Sequence, residues 1–191
     1  MASEVVLVRH GETEWSLSGR HTGSTDIPLT DKGRKQAQSL LDPLKKWDFS
    51  LVLVSPLARA QETARLAGID GKAITEENLR EWNYGEYEGR TTANIRKETP
   101  NWTIFTGKVF GGETADEVGA RADKVIERVD ATDGAVALVA HGHILRILGA
   151  RWMGLPAING SHLALGTATL SVLGYERETK VITQWNAPPV R

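Results

Sequence analysis

The 191-residue chain contains no cysteine. That excludes a disulfide framework, a thiolate metal site, an iron–sulfur cluster and a cysteine nucleophile, so any covalent chemistry must use another side chain. Long apolar runs are also missing. No window approaches the roughly 20 residues that cross a bilayer, and the opening stretch has only the run Val5 to Val8 before Arg9, short of the roughly 7–15 apolar residues of a secretory leader. Charge of one sign is scarce as well: 23 Lys and Arg stand against 24 Asp and Glu, a formal net charge of −1, which offers no overall field to a nucleic acid or an anionic membrane. Repeats and low-complexity tracts are absent. The composition therefore predicts a cytoplasmic protein of one domain over residues 1–191, with small soluble partners, no nucleic acid and no membrane.

Short apolar runs rich in Val and Leu recur at Val5 to Val8, Leu51 to Val54 and Ala135 to Ala140, too short for helices and bounded by turn residues, as buried strands are. Helical patterns lie between them. Asp31 to Leu41 follows Thr30 as a cap, with Pro43 limiting any continuation. Ser55 as N-cap with Pro56 in the first helical position introduces Leu57 to Leu66, and Gly68 offers a stop. Thr114 and Glu117 form a capping-box pattern ahead of Val118, Ala122, Val125, Ile126 and Val129, which share one helical face. A further helix is predicted over His143 to Met153, and a terminal strand pair over Thr169 to Gly174 and Val181 to Trp185. Strands alternating with helices argue for an α/β layer sandwich with a mainly parallel sheet. The stretch 75–113 fits least. It reads as a lid-like insertion with a short helix around Thr92 to Glu98.

Ligands of open α/β sheets bind beyond the carboxyl ends of the strands, and the residues at those ends share a character. The first strand runs into Arg9-His10-Gly11, the second into Ser55-Pro56 with Arg59 one turn on, and the third into His141-Gly142-His143. Arginine offers a rigid fork of donors to an anion, a helix N-terminus adds N–H groups, and glycine lets the backbone come close. Together they describe a phosphate pocket, the alternative being that Arg9 and Arg59 are surface ion-pair residues and the histidines satisfied core groups. His141 and His143 alone would also suit a metal, but no further His or Asp cluster supplies the other ligands.

These residues resemble the histidine phosphatase superfamily, also called the phosphoglycerate mutase-like family. The likeness rests on Arg9 to Thr13 (RHGET), Gly19 to Gly23, Pro28 to Thr30 with Gly33, Ser55-Pro56 through Arg59 and Thr63, Leu79 to Gly89, Gly112-Glu113 and His141-Gly142. It implies a three-layer α/β sandwich with a mainly parallel central sheet flanked by helices, and hydrolysis through a phosphohistidine. His10 would be the nucleophile, since a neutral imidazole nitrogen can attack phosphorus when the other is held as a donor. Arg9, Arg59 and His141 would clamp the phosphoryl oxygens, with guanidinium charge in the place of a metal ion, so no metal and no cofactor is implied. Glu81 matches the family's acid, which protonates the leaving alkoxide and then activates water.

The same resemblance separates hydrolase from mutase. A mutase shields its intermediate with extra segments after the acid and at the C-terminus, whereas here only 22 residues separate Gly89 from Gly112 and the tail from Asn186 is short. Hydrolysis is expected, with a phosphoglycerate mutase as the alternative and a non-catalytic phosphate-binding module as the least favoured reading. Around the phosphate, Ser16 stands where the mutases usually place Asn. Thr22, Gly23, Tyr84, Gly142, His143 and Arg146 complete the expected substrate contacts. Arg146 would either hold a second phosphate or carboxylate, as in the sugar-bisphosphate phosphatases that the Glu81 to Gly89 stretch resembles, or be a solvated surface residue, and a broad-specificity acid phosphatase fits the stretch equally well. The expected partner is a small phosphorylated metabolite, most plausibly a sugar phosphate. Six tryptophans suit an interface as well as a core, so a homo-oligomer stays open.

Overall fold

A computed structural model describes residues 2–189; Val190 and Arg191, the end of the short tail, lie outside the described residues, as does Met1. The elements run β1 (Ala2–Arg9), α1 (Glu14–Ser18), α2 (Asp31–Ser39), α3 (Leu41–Leu44), β2 (Phe49–Val54), α4 (Ala58–Leu66), β3 (Ala73–Thr75), α5 (Thr92–Arg96), α6 (Ala115–Asp130), β4 (Gly134–Ala140), α7 (Gly142–Trp152), β5 (Leu170–Glu176) and β6 (Thr179–Ala187). They form one six-stranded sheet in the order β3-β2-β4-β1-β5-β6. The first four strands in that order are parallel, and β5 and β6 join antiparallel.

Every residue from Val5 to Val8 is buried because β1 is covered on both faces, which is why the sequence shows a continuous apolar run rather than alternation. Val5 and Leu7 pack toward α6 and α7, with Val125 and Leu145. Val6 and Val8 pack the other way, with Leu40, Ala60 and Ala64 of α2 to α4. Helix, sheet and helix thus make three layers. The stretch 75–113 adds Leu79, Trp82, Tyr84, Ile95 and Trp102 to the α6/α7 side of the core, so much of it is packed cover.

Several boundaries differ from the sequence reading, each for a local reason. Ser55 does not cap α4. Its hydroxyl is bonded to His141, and the cap position belongs to Leu57, with the first free N–H, that of Ala58, donated to Asp26 from a separate loop at 3.0 Å. Helix α7 starts at Gly142 rather than His143, with His141 extended at the cap. The pattern Asp31 to Leu41 divides into α2 and the one-turn α3, which accommodates Pro43. The three-residue strand β3 and the single-turn α1 had no periodicity long enough to betray them. The Thr114–Glu117 capping box forms as expected, at the head of the 16-residue α6.

Candidate active site

Register brings the site together. Arg9 of β1 lies opposite Ala140 of β4, and Val139 opposite Val54 of β2, so the next residues along each chain, His10, His141 and Ser55, emerge side by side at one edge. The His10 and His141 rings are 5.1 Å apart. Gly11 lets the chain turn away here: a Cβ would sit 2.3 Å from the Gly33 carbonyl oxygen, at the start of α2, so no side chain fits. The Gly11 N–H donates to Thr63 of α4. Glu12, the acid of the RHGET string, turns outward to Lys32 at 2.8 Å and Thr30 at 3.1 Å, and Thr13 caps α1. Half of the motif therefore faces the cavity, and half is a tie between the first strand and α2.

His10 is 4% exposed. Its Nδ1 donates to the Gly11 carbonyl at 2.7 Å, which leaves Nε2 as the unprotonated nitrogen. Burial, then the positive charge of Arg59 and Arg9, pushes its pKa well below the ordinary histidine value, so the ring is neutral at pH 7. Arg9 donates to the Leu165 carbonyl through Nη1, while its buried Nε has no partner. The guanidinium carbon lies 3.3 Å from where a Cβ of Gly142 would stand.

Arg59 and His141 form a second layer behind His10. Arg59 is wholly buried and uses four of its five N–H groups on the protein. Nε donates to His141 Nδ1 at 3.1 Å, Nη1 to Thr25 O, and Nη2 to Thr22 O and Gly23 O. With Nδ1 accepting, His141 carries its proton on Nε2 and donates to Ser55 Oγ at 2.7 Å. Burial and Arg59 keep its pKa well below the ordinary value.

Glu81 is held at the head of α7. Its Oε1 accepts the N–H groups of Trp82 and Ile144, and Oε2 that of His143, each at 2.9 Å. Oε2, with a single donor, keeps a lone pair for the cavity. The Tyr84 hydroxyl, whose pKa burial raises well above its ordinary value, is hydrogen-bonded to His143 Nδ1 at 2.6 Å. Burial, then Arg146, lowers the pKa of His143.

A cavity of about 390 Å³ opens over these groups. Arg9, His10, Glu81, Ser16, Thr22, Tyr84, Gly142, His143 and Arg146 line it; Arg59, His141 and Gly23 do not. Arg59 and His141, expected at the phosphoryl oxygens, lie directly behind His10, outside the residues that line this cavity. Gly23 contributes backbone alone, donating its N–H to Glu88 and accepting from Arg59, and a Cβ would meet Glu88 Oε2 at 2.6 Å. The Ser16 hydroxyl bonds the Thr13 backbone. Arg146 donates to the Gly160 and Ser161 carbonyls and lies 4.9 Å over the Phe105 ring. Of the aromatics, Phe105 and Tyr84 reach the cavity, while Trp82 and Trp102 serve the core.

The profile of the histidine phosphatase superfamily (branch 1) matches residues 5–188. The chain belongs to that superfamily. An acid phosphatase of Mycobacterium tuberculosis is 42% identical to this histidine phosphatase over 90% of this chain and 86% of its own. The sedoheptulose 1,7-bisphosphatase of Saccharomyces cerevisiae is 33% identical, over 78% of this chain and 67% of that one. Among solved structures, the mycobacterial glucosyl-3-phosphoglycerate phosphatase in complex with VO3 superposes with a TM-score of 0.87 at 29% identity, covering 97% of this chain and 99% of that one.

Four residues of this histidine phosphatase site escaped the sequence reading. His21, Arg20 and Arg96 line the cavity, the first two from the Gly19 to Gly23 segment and the third from α5. Glu88 stands behind it: Oε1 accepts the N–H groups of Gly23 and Thr25 at 2.8 and 3.1 Å, and these bonds fix the loop whose carbonyls hold Arg59. Glu88 lay within a quoted motif, but no spacing rule distinguishes it from the four other glutamates between Glu76 and Glu86.

Proposed function

We propose that this enzyme is a metal-independent phosphomonoesterase of small phosphorylated metabolites, sugar phosphates above all, working through a phosphohistidine on His10. The observation that carries the reading is the fixed tautomer of His10: Nδ1 is tied to Gly11 O, and burial with two guanidinium neighbours keeps Nε2 unprotonated. Nε2 attacks phosphorus as the ester P–O bond breaks, and Glu81 delivers a proton to the leaving oxygen. Water then attacks the phosphohistidine, Glu81 takes the proton, and inorganic phosphate leaves. Arg9 meets the phosphoryl oxygens, with the Arg59 charge behind it, so the charge that develops is met by groups already in place. A nucleophile that resists protonation also suits acid conditions, in keeping with the name of the mycobacterial relative.

The test is phosphate release from sugar phosphates, phosphoglycerates and an aryl phosphate with EDTA present. Wild-type activity should persist in EDTA, and His10→Ala should lose at least about 10³-fold in kcat, as removal of a covalent nucleophile does. Release that survives in the variant overturns the mechanism. Interconversion of phosphoglycerates without release would instead make the enzyme a mutase.

A further inference from the structure

The four N–H groups that Arg59 uses all end on neutral acceptors, three carbonyls and the His141 ring. A buried cation held in this way still needs a counter-charge close by. Burial pushes the Arg59 pKa down, and the carboxylates of Glu81, Asp26 and Glu88 push it back up. Glu81 is occupied by N–H groups at the head of α7, and Asp26 by the first N–H of α4, the helix that carries Arg59. Glu88 is joined to Arg59 through a single peptide unit.

That unit is the Thr22–Gly23 peptide. Its N–H donates to Glu88 Oε1 at 2.8 Å, and its C=O accepts from Arg59 Nη2 at 3.1 Å. The N–H and C=O of a trans peptide point in opposite directions, so carboxylate and guanidinium sit at the two ends of one dipole, each facing the end of opposite sign. Both bonds are charge-assisted, and each polarises the other. The Thr25 N–H gives Glu88 Oε1 a second bond at 3.1 Å, while the Gly23 and Thr25 carbonyls take further Arg59 donors at 3.0 Å. Residues 22–25 are therefore a strip with Glu88 on one side and Arg59 on the other.

The strip has little slack. A Cβ on Gly23 would stand 2.6 Å from both Glu88 Oε2 and the Trp82 carbonyl oxygen. The flanking chain is pinned as well, by Gly89 N–H on His21 O at 2.8 Å and His21 N–H on Arg90 O at 2.9 Å. Glu88 Oε2 is buried with no hydrogen-bond partner among the described residues. Burying an unpartnered carboxylate oxygen is costly, and a staple that only held the loop would have no use for the charge. A guanidinium one peptide away gives it one.

We infer that Glu88 is a positioning residue: through the Thr22–Gly23 peptide it sets where the Arg59 guanidinium stands, and through Arg59 the tautomer of His141 and the positive field behind His10. The inference rests on the phosphomonoesterase reading above and adds to it a carboxylate that does not line the cavity.

Wild type, Glu88→Ala, Glu88→Gln and Glu76→Gln are compared on p-nitrophenyl phosphate across pH, with urea unfolding alongside. Glu76 is the control, a buried carboxylate that holds Asn78 and Arg128 instead. Its variant should lose stability and keep both kcat and the pH profile. Glu88→Ala should lose about 10- to 100-fold in kcat, the worth of a charge-assisted hydrogen bond. The acid limb of its kcat/KM should move up by about one pH unit, because a guanidinium that drifts away lets the His10 ring protonate more readily. Loss of the Glu88 charge with Arg59 still in place would move that limb down. A limb that stays or moves down therefore overturns the inference while His10-dependent hydrolysis stands. If wild type hydrolyses no ester, the phosphomonoesterase reading falls instead. In that case, or where the alanine variant does not fold, imidazole nitrogen spectra of the Glu88 variant that does fold decide: a second His141 tautomer beside the Nε2–H form of wild type supports the inference, and an unchanged Nε2–H form overturns it.

Discussion

Arg59 and Arg20 serve the same cavity and are held in opposite ways. Arg59 is wholly buried, with four N–H groups on protein acceptors and its Nε fixing the tautomer of His141. Arg20 is exposed and rests against one indole face. A buried cation pays a desolvation penalty that only good hydrogen bonding offsets, so Arg59 is in place before any substrate arrives and need not reorganise during the reaction. Arg20 pays almost none, and its donors face the cavity and solvent. The floor is thus set by folding and the mouth by binding. Under the proposed function, the chemistry common to many phosphate esters falls to the first region, and contact with the rest of the ester to the second.

That division can be broken most sharply at the floor. Arg59→Gln should cost stability and catalysis together: about 2–4 kcal/mol, because the Thr22, Gly23 and Thr25 carbonyls lose a buried donor, and about 10²-fold or more in kcat. Urea unfolding and steady-state rates on an aryl phosphate measure the two, and a full loss of rate at wild-type stability would show that the floor is not built by folding.

Acid should act on the same layer. The buried rings of His10 and His141 have pKa values below the ordinary 6.5 or so, so the unfolded chain binds protons that the folded one refuses. Stability is accordingly complete above about pH 6.5 and falls as pH drops below it, by up to about 1.4 kcal/mol per pH unit for each ring. The lowered carboxyls of Glu12 and Glu76 keep their stabilisation above about pH 4.5 and lose it only below. Urea midpoints between pH 7 and 5 report the histidines alone, and a flat profile there would mean that the rings charge freely in the fold. The smallest effect belongs to the mouth: Arg96→Gln should change stability by no more than about 1 kcal/mol, the worth of its one bond to the Trp102 carbonyl. A larger loss in thermal unfolding would move Arg96 from the mouth to the scaffold.

The sequence exposed this floor far better than the mouth, for physical reasons. Buried strands leave runs such as Val5 to Val8, and the sheet rule then points to whatever follows them, so Arg9, His10 and His141 were legible from pattern and Glu81 from family likeness. Long helices with capping boxes, α6 above all, were equally plain. The start of α4 was not, because its N–H is satisfied by Asp26, more than thirty residues away and unmarked by any local pattern. Arg20 and Arg96 were invisible for the same kind of reason. An exposed arginine on a short helix or loop reads as solvated surface, and only folding reveals that its neighbours include no carboxylate. Glu88 shows a third limit, since a carboxylate that acts by holding another segment's backbone has no signature in its own.

The strand that runs into His10 is an inner strand of the sheet, hydrogen-bonded to β4 along one side and β5 along the other. Amides so enclosed exchange with solvent only when the sheet itself opens, so the slowest protons in the molecule should belong to Val5 through Val8. Partial openings at either edge, at β3 or β6, would then leave the histidine on its support, and deuterium uptake in β1 would begin only where activity is lost.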